Sequence, residues 1–486
     1  MVWEKSMSKS VALLLVLVFL ISSCVMVAKP VSSSAEVTEN SWVAKASMHE
    51  ARGGLGVAVV NGKIYAIGGS TLAGSWPYTG GIVATNEEYD PATNTWSFKK
   101  PMPTPRKNFG IAVYNNKIYC IGGEEIFKDE SRAPLTNVNE VYDPATDTWE
   151  TKEPMPTPRS DLRANVVNGK IYLIGGYDPN VHFEPGASTH NEVYDPGTDS
   201  WFTKEPLIAA ASNYASAVFD DKIYVIGGFI EGPWLRFDLN QIYNTKNDSW
   251  SYGAPLSQGY GGVTGVVTAG FMAPKRIYVF GEMRNGFGEE YYYSVRSYDP
   301  ENDSWTAGAD MLTGRGGLGV AVVNDVIYVI GGETANGMPF SADPPSLKKY
   351  ATNEQYIPFG YGTIPPKVSV ASPKNANYTS SEIKLNFTVN RHVEWMGYSL
   401  DRQDNVTVTG NVTLSGLTNG FHNVTVYARD EFENTVASET ITFNVDVPES
   451  FPTLVVTAVT LASVSVVGVG LLFYFKKRKK ESEDKT

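Results

Sequence analysis

Cysteine, histidine and positive charge are what this sequence has least of. Among 486 residues there are two cysteines, Cys24 and Cys120, and five histidines. Cys24 lies in an N-terminal segment expected to be removed, so the mature chain has no intrachain disulfide and must rely on packing. No zinc-ligand spacing, phosphate-binding glycine loop or nucleophile elbow occurs, and no metal or cofactor is expected. Acidic residues exceed basic ones, giving a formal net charge of −12. That balance argues against nucleic acid as a partner. Long apolar runs are missing everywhere except at the two ends.

At the N-terminus, Lys5 and Lys9 precede the run Val11 to Ile21, and the small residues SSSA end at Ala35. This reads as a secretory signal peptide over residues 1–35. An uncleaved anchor is the alternative, and ISSC, residues 21–24, loosely matches a lipoprotein box that would retain Cys24. At the other end, residues 453–475 carry no charge. As a helix they would span about 34 Å at ~1.5 Å per residue. The KKRKK block then opens a basic tail, residues 476–486. The expectation is a single-pass protein of the cell membrane, with its N-terminal ectodomain outside and its C-terminus cytoplasmic. A buried soluble helix is the alternative.

Between the ends, one phrase recurs six times: NGKIYAIGG (61–69), NNKIYCIGG (115–123), NGKIYLIGG (168–176), DDKIYVIGG (220–228), KRIYVFGE (275–282) and NDVIYVIGG (324–332). A second phrase follows the first five, from YDPATNTW (89–96) to YDPENDSW (298–305), with Tyr seven positions ahead of Trp. The structural tryptophans are Trp96, Trp149, Trp201, Trp250 and Trp305. Asn-Gly between short apolar runs is a strong hairpin turn. The double glycines allow close backbone approach where sheets crowd together.

These phrases resemble the kelch repeat over residues 41 to about 359. The resemblance implies an all-β fold, a β-propeller in which each repeat makes one four-stranded blade and radial closure shields the edges. The expected propeller spans residues 36–360 and has six blades, closed by an N-terminal strand. Counting supports that closure. In the four regular repeats Trp precedes the next double glycine by 26 residues, and Trp42 precedes Gly68 by the same interval. Trp42 has no Tyr of its own, whereas Tyr356 has no following Trp. Residues 41–48 should therefore pair with 353–358. The fifth repeat is longer, 31 residues from Trp250 to Gly281, with the extra residues expected near AGFMAPK in its first hairpin.

The Asn-Gly and Tyr-to-Trp turns share one face and are short. The loops after the double glycines lie on the other face and are long, which is where binding usually resides. On that face Arg52, Arg106, Arg159 and Arg315 each stand 16 residues before their first glycine, with Ala211 and Tyr260 at the other two positions. They are expected to ring the mouth of the central channel and capture a carboxylate, sulfate or sugar acid. The alternative is that they satisfy backbone carbonyls and nearby acids such as Glu124 and Glu333. The resemblance adds the residues after each double glycine, Glu124, Tyr177, Phe229 and Glu333. Trp76, Tyr78 and Trp234 join this binding-face set as loop aromatics suited to stacking on sugar or protein; packing within the loops is the competing reading.

After GYGTIPP the sequence turns to alternating Val, Thr and Asn, which predicts a small antiparallel β-sandwich over 366–446 within a domain of residues 361–449. It resembles immunoglobulin-like modules of archaeal-type surface proteins. N-x-Ser/Thr triplets mark Asn247, Asn302, Asn377, Asn386, Asn405, Asn411 and Asn423 as glycosylation candidates.

Kelch-type propellers include copper oxidases, which need His and Tyr ligands with a reactive Cys. Here Cys120 lies inside a core strand phrase, and only His182 and His190 share a propeller loop. The reading is therefore a non-catalytic cell-surface receptor or adhesin that binds an extracellular protein or glycan. The alternatives are a sugar-modifying enzyme, such as a sialic-acid epimerase or glycoside hydrolase, and a structural envelope component. Nothing in the composition fixes the oligomeric state.

Overall fold

The structure is a computed structural model that describes residues 38–71, 81–125, 134–180, 186–231, 235–236, 238–257, 261–283, 291–336, 346–448 and 453–483. The expected signal peptide with Cys24, and the loop residues Trp76, Tyr78, His182, Trp234 and Tyr260, lie outside the described residues. By its contacts the chain divides into two units, residues 1–361 and 362–486.

The first unit contains six four-stranded antiparallel sheets. The first is typical. Gly56–Val60 turns through Asn61 and Gly62 into Lys63–Ile67, then come Asn86–Asp90 and Thr95–Lys99. Asn61 and Gly62 take φ of 51° and 75°, the left-handed pair that a tight hairpin requires and that asparagine and glycine tolerate. The phrase KIYAI is buried along nearly its whole length because sheets cover both of its faces, whereas TWSFK is largely exposed as the outermost strand.

Apolar clusters join each sheet to the next. One holds Ala58 and Ile67 of the first sheet with Phe109 and Ile118 of the second. Another holds Val57 and Ile64 of the first with Ala321 and Tyr328 of the last, so the succession closes on itself. The last sheet is completed from the opposite end of the unit. Ser41–Lys45 pairs antiparallel with Asn353–Ile357, Trp42 opposite Tyr356, the register that the repeat count anticipates.

At the outer rim each sheet is clamped to its predecessor by one repeated device. The Tyr hydroxyl donates to an Asn or Asp side chain: Tyr89 to Asn94, Tyr142 to Asp147, Tyr194 to Asp199, Tyr243 to Asp248 and Tyr298 to Asp303. The same acceptor oxygen takes a backbone N–H from the end of the previous sheet's outer strand, as Asp147 does from Lys100 and Asp199 from Glu153. The neighbouring Trp indole then donates to a carbonyl of that previous strand end, Trp149 to Lys100 at 2.9 Å and Trp201 to Glu153 at 3.0 Å.

The closing sheet builds the same clamp from two distant segments. Tyr356 donates to Asn40 at 2.8 Å, Asn40 accepts the Ala309 N–H at 2.6 Å, and the Trp42 indole donates to the Ala309 carbonyl at 2.9 Å.

The fifth sheet carries its extra residues in the first hairpin, between Thr264–Val267 and Ile277–Met283. That loop folds onto the next sheet's hairpin turn, where the buried Asp325 carboxylate accepts the backbone N–H groups of Ala269, Phe271, Met272 and Ala273.

In the second unit, a sheet of Val368–Ser372, Ile383–Val389 and Val412–Leu414 and a larger one centred on Gly420–Arg429 share one core that includes Leu385, Phe387, Val426 and Phe443. One pair departs from the antiparallel expectation: Asn377–Tyr378 runs parallel to Ile441–Val445.

The helix Thr453–Glu483 runs on through the basic block. Among the described residues no helix is long and apolar enough to cross a membrane. This corrects the expected transmembrane helix and, with it, the single-pass cell-membrane topology with an outer ectodomain and a cytoplasmic tail.

Closure through Asn40 has a measurable cost when broken. Asn40→Ala orphans the Tyr356 hydroxyl and the Ala309 N–H, and each unpaired buried group costs about 1–3 kcal/mol. Urea unfolding of the variant should show a stability loss of about 2 kcal/mol or more, similar to that of Asn94→Ala at the first sheet. An unchanged midpoint for Asn40→Ala alone would mean that the ends do not hold the ring shut.

Candidate functional site

The four arginines do not line an open mouth. Arg52, Arg106, Arg159 and Arg315 are among the most deeply buried side chains of the molecule, none more than 1% exposed. Each pairs with the glutamate two residues before its own sheet's Tyr: Arg52 with Glu87 at 2.8 Å, Arg106 with Glu140 at 2.7 Å, Arg159 with Glu192 at 2.6 Å and Arg315 with Glu354 at 2.9 Å.

Further N–H groups reach strand-end carbonyls, as Arg52 does to Gly68 at 2.8 Å and Arg315 to Gly331 at 2.7 Å, while the Nε of Arg52, Arg106 and Arg159 is buried without a partner among the described residues. The other carboxylate oxygen is engaged too, by Thr104 on Glu140 and Thr157 on Glu192. Burial pulls the Arg52 and Arg315 guanidinium pKa values down, opposed by the paired glutamates. Guanidinium groups so enclosed, each already holding a buried glutamate, are out of reach of an external anion, which corrects their expected place on the ligand-binding face.

Sequence reasoning missed the glutamates, although the phrase N-E-x-Y announced them. Where the arginine is absent, its partner is absent as well. Gln241 takes the glutamate position opposite Ala211 and bonds the Ala209 backbone through both amide atoms, while Arg296 stands at the corresponding position of the fifth sheet.

The mouth itself is built two residues further along. Gly54, Asn108, Asp161, Asn213, Gly262 and Gly317, one from each sheet, all have φ between 51° and 70°. Each of the first five is joined to its predecessor in the circle by a backbone hydrogen bond: Gly54 N to Gly317 O, Asn108 N to Gly54 O, Asp161 N to Asn108 O, Asn213 N to Asp161 O and Gly262 N to Asn213 O, at 2.8 to 3.1 Å. Half of this ring is bare glycine backbone and half presents amide and carboxyl side chains. Below it, Arg163 reaches from the third sheet to the Val263 carbonyl and the Thr264 hydroxyl of the fifth, at 3.2 and 3.1 Å, and so crosses the channel.

The residues after the double glycines each lie against residues next to this ring or its loops. Glu124 receives Lys107 at 3.2 Å and the Asn108 amide at 3.2 Å. Glu333 pairs with Lys349 and lies over Gly53, where a Cβ would meet its carboxylate at 2.7 Å. The Phe229 ring lies against Gly261, and the Tyr177 ring against Gly186. Asp161 accepts from Ser160 at 3.2 Å. Burial, and then the nearby Glu124 charge, push the Asp161 carboxyl up to about 7, against the opposing pull of Lys107 and Arg163. Lys107, Asn108, Asp161 and Lys349 were not singled out from sequence. The first three directly follow the arginine positions, a signal that the repeat alignment contained.

Of the seven N-x-Ser/Thr asparagines, Asn247, Asn302, Asn377, Asn405 and Asn411 are exposed, while Asn386 and Asn423 are half-buried. They do not form a single cluster.

Two consequences can be measured. Arg159→Ala leaves Glu192 buried without its charge partner and should cost about 3–5 kcal/mol. Adding Glu192→Gln reproduces the fourth sheet's Ala211–Gln241 arrangement, and chemical denaturation should then show at least half of that loss restored. No recovery would refute the latch.

Asp161 has a raised folded-state pKa, so between about 4 and 7 the folded chain holds a proton that the unfolded chain releases. Its contribution to stability is therefore fullest below pH 4 and falls as pH rises to about 7. Asp161→Asn should raise the melting temperature at pH 8 and flatten its decline across that window. A decline identical to that of the wild type would exclude Asp161 as its source.

Comparison with known proteins agrees with this architecture. A model described as Kelch motif matches residues 51–103, 105–156, 158–206 and 210–257. Kelch-like protein 36 of Bos taurus is 28% identical over 229 residues, 47% of this chain and 35% of that protein. Kelch-like protein terF of Aspergillus terreus is 28% identical over 296 residues, 58% of this chain and 61% of that protein. Beta-scruin of Limulus polyphemus is 28% identical over 229 residues, 46% of this chain and 24% of that protein. The chain thus spans between about a quarter and three fifths of these relatives. A solved structure titled "Structure of YjhT" superposes with a TM-score of 0.50 at 17% sequence identity, covering 63% of this chain and 96% of that one. The chain carries kelch repeats, and they fold as a kelch-repeat β-propeller.

Proposed function

We propose that the protein is a non-catalytic binding module whose propeller, six-bladed by its six four-stranded sheets, recognises a protein partner at the channel mouth. The observation that carries this reading is the mouth itself. Its charged pairs Lys107–Glu124 and Lys349–Glu333 stand beside a ring that is bare backbone on one half and polar side chain on the other. Unlike the buried Arg–Glu latches, Lys107 and Glu124 keep 21% and 16% of their side-chain surface. Kelch repeats are generally protein-interaction modules, which favours a protein over a small metabolite. A glycan on such a partner would meet the same surface.

A second reading rests on Asp161, a carboxyl held near neutrality beside Glu124 and Lys107, which is the setting of an acid–base group in a sugar-modifying enzyme.

A pair swap separates these readings. Lys107→Glu with Glu124→Lys preserves the internal ion pair while inverting the local field. Cross-linking of the full chain in host extract, read by mass spectrometry, should lose the wild-type partner in the swapped variant and keep it in Phe98→Ser, an exposed outer-strand control. Recovery of the same partner by the swapped protein would refute recognition at the mouth. Turnover of a sialoside or other oligosaccharide by the wild type, abolished in Asp161→Asn, would establish the enzyme instead.

A further inference from the structure

The second unit has a concavity of its own, separate from the propeller. On the larger sheet, Gly420–Arg429 pairs with Trp395–Leu400, and their outward residues alternate with the core. Over this face bends the loop that follows Leu400. Its root is pinned by Asp401, whose carboxylate accepts the Asn423 N–H at 2.8 Å and contacts the His422 ring at 2.7 Å. Its crest is held by the Ser399 hydroxyl, which donates to the Gln403 carbonyl at 2.6 Å. Asp401 and Arg402 take φ of 51° and 61°, so the loop turns back over the sheet instead of continuing the strand. The half-open concavity so formed measures about 650 Å³, within the range of small-ligand sites.

Its lining is unusual for a pocket of that size. Hydroxyls and amides dominate, with Thr425, Asn423 and Thr440 on the sheet and Arg402 and Asp404 on the loop, and the one aromatic ring is that of Tyr427. No aliphatic side chain lines it, which excludes an apolar ligand. The lining carries one guanidinium, of Arg402, and one carboxylate, of Asp404, which disfavours a strongly charged ligand.

The Tyr427 ring is extended along the sheet by a second aromatic group. Gly397 lies opposite Tyr427, and the Trp395 indole lies over Gly397 so closely that an added Cβ would meet it at 2.7 Å. The indole N–H is fixed on the Thr407 hydroxyl at 3.1 Å. A glycine inside a strand loses packing and entropy. Here it makes room for a tryptophan to lie flat beside the cavity.

We infer that this face of the sandwich is a binding site for a short neutral saccharide. Its apolar ring face would stack on Tyr427, and its hydroxyls would be shared among Asn423, Thr425, Arg402 and Asp404. Stacking on a flat aromatic group combined with a dense set of neutral donors and acceptors suits a molecule that is itself apolar on one face and hydroxylated around its edge.

The test uses the full chain from a bacterial host that adds no sugar to asparagine, leaving Asn405 and Asn423 bare. The probes are maltotriose, chitotriose and mannotriose at up to about 10 mM, read by calorimetry and tryptophan fluorescence. At least one should bind and shift the fluorescence. Tyr427→Ala should weaken it by about tenfold or more, Tyr427→Phe should restore it, and Arg402→Ala, on an exposed loop, should weaken it several-fold. Phe421→Ala, 80% exposed on the same face but outside the cavity, should leave affinity unchanged. The proposal is overturned if none of the three sugars binds, or if binding is unaffected by both Tyr427→Ala and Arg402→Ala.

Discussion

The propeller depends on one oxygen atom repeated six times. In each sheet a side-chain oxygen, of Asp in four and of Asn in two, joins the sheet's own buried Tyr hydroxyl to a backbone N–H at the end of the sheet before it. The residue carrying it must adopt left-handed backbone so that its short side chain turns inward, and φ between 47° and 55° at all six of these positions meets that need. Asn and Asp are the side-chain-bearing residues best able to do both. The Trp indole then binds a carbonyl of the same preceding strand end, and Tyr and Trp rings 4.8 to 5.1 Å apart close the rim above the bond. A ring held this way needs no disulfide, which fits the near absence of cysteine.

Charge inside the propeller answers to the same geometry. In four of the six sheets the arginine before the innermost strand caps carbonyls left free where the double glycine ends a strand, and the glutamate neutralises it. Isolated, either charge would be prohibitive; together they satisfy strand ends that water cannot reach. The fourth sheet shows that the latch is dispensable when both members go, since Gln241 ties down the Ala209 backbone without any charge. The side chains that stand at this end of the sheets are therefore those one and two positions further along, Lys107, Asn108 and Asp161 among them.

Much of this was legible in sequence, and the reason is periodicity. Trp42 at its 26-residue interval located the closing strand, and the surplus between Trp250 and Gly281 located the long hairpin. Spacing is conserved by backbone geometry, so counting recovers it. Side-chain depth is not encoded by spacing. The arginines recur at the right place for a channel mouth, yet whether they point outward or inward depends on the glutamates supplied by a strand some 35 residues later. The C-terminal run was misread for a related reason. Apolar composition suggested a span, whereas among the described residues no helix is long and apolar enough to cross a membrane.

At the mouth, regularity and freedom meet. The scaffold asks each ring position for positive φ and a place in the backbone hydrogen-bond circle, a demand that Gly, Asn and Asp meet. It leaves open space at Gly262, whereas at Gly54 a Cβ would meet the Asn108 side chain at 2.5 Å. The distribution is not even. Glycines occupy three consecutive positions around the ring and side chains the other three. An arrangement dictated by packing alone would follow the repeat. This one divides the mouth into a flat half, open to close backbone approach, and a polar half that contains Asp161 and adjoins Glu124. That asymmetry breaks the rotational repeat of the ring, so a partner bound there under the reading proposed above would meet it in one orientation.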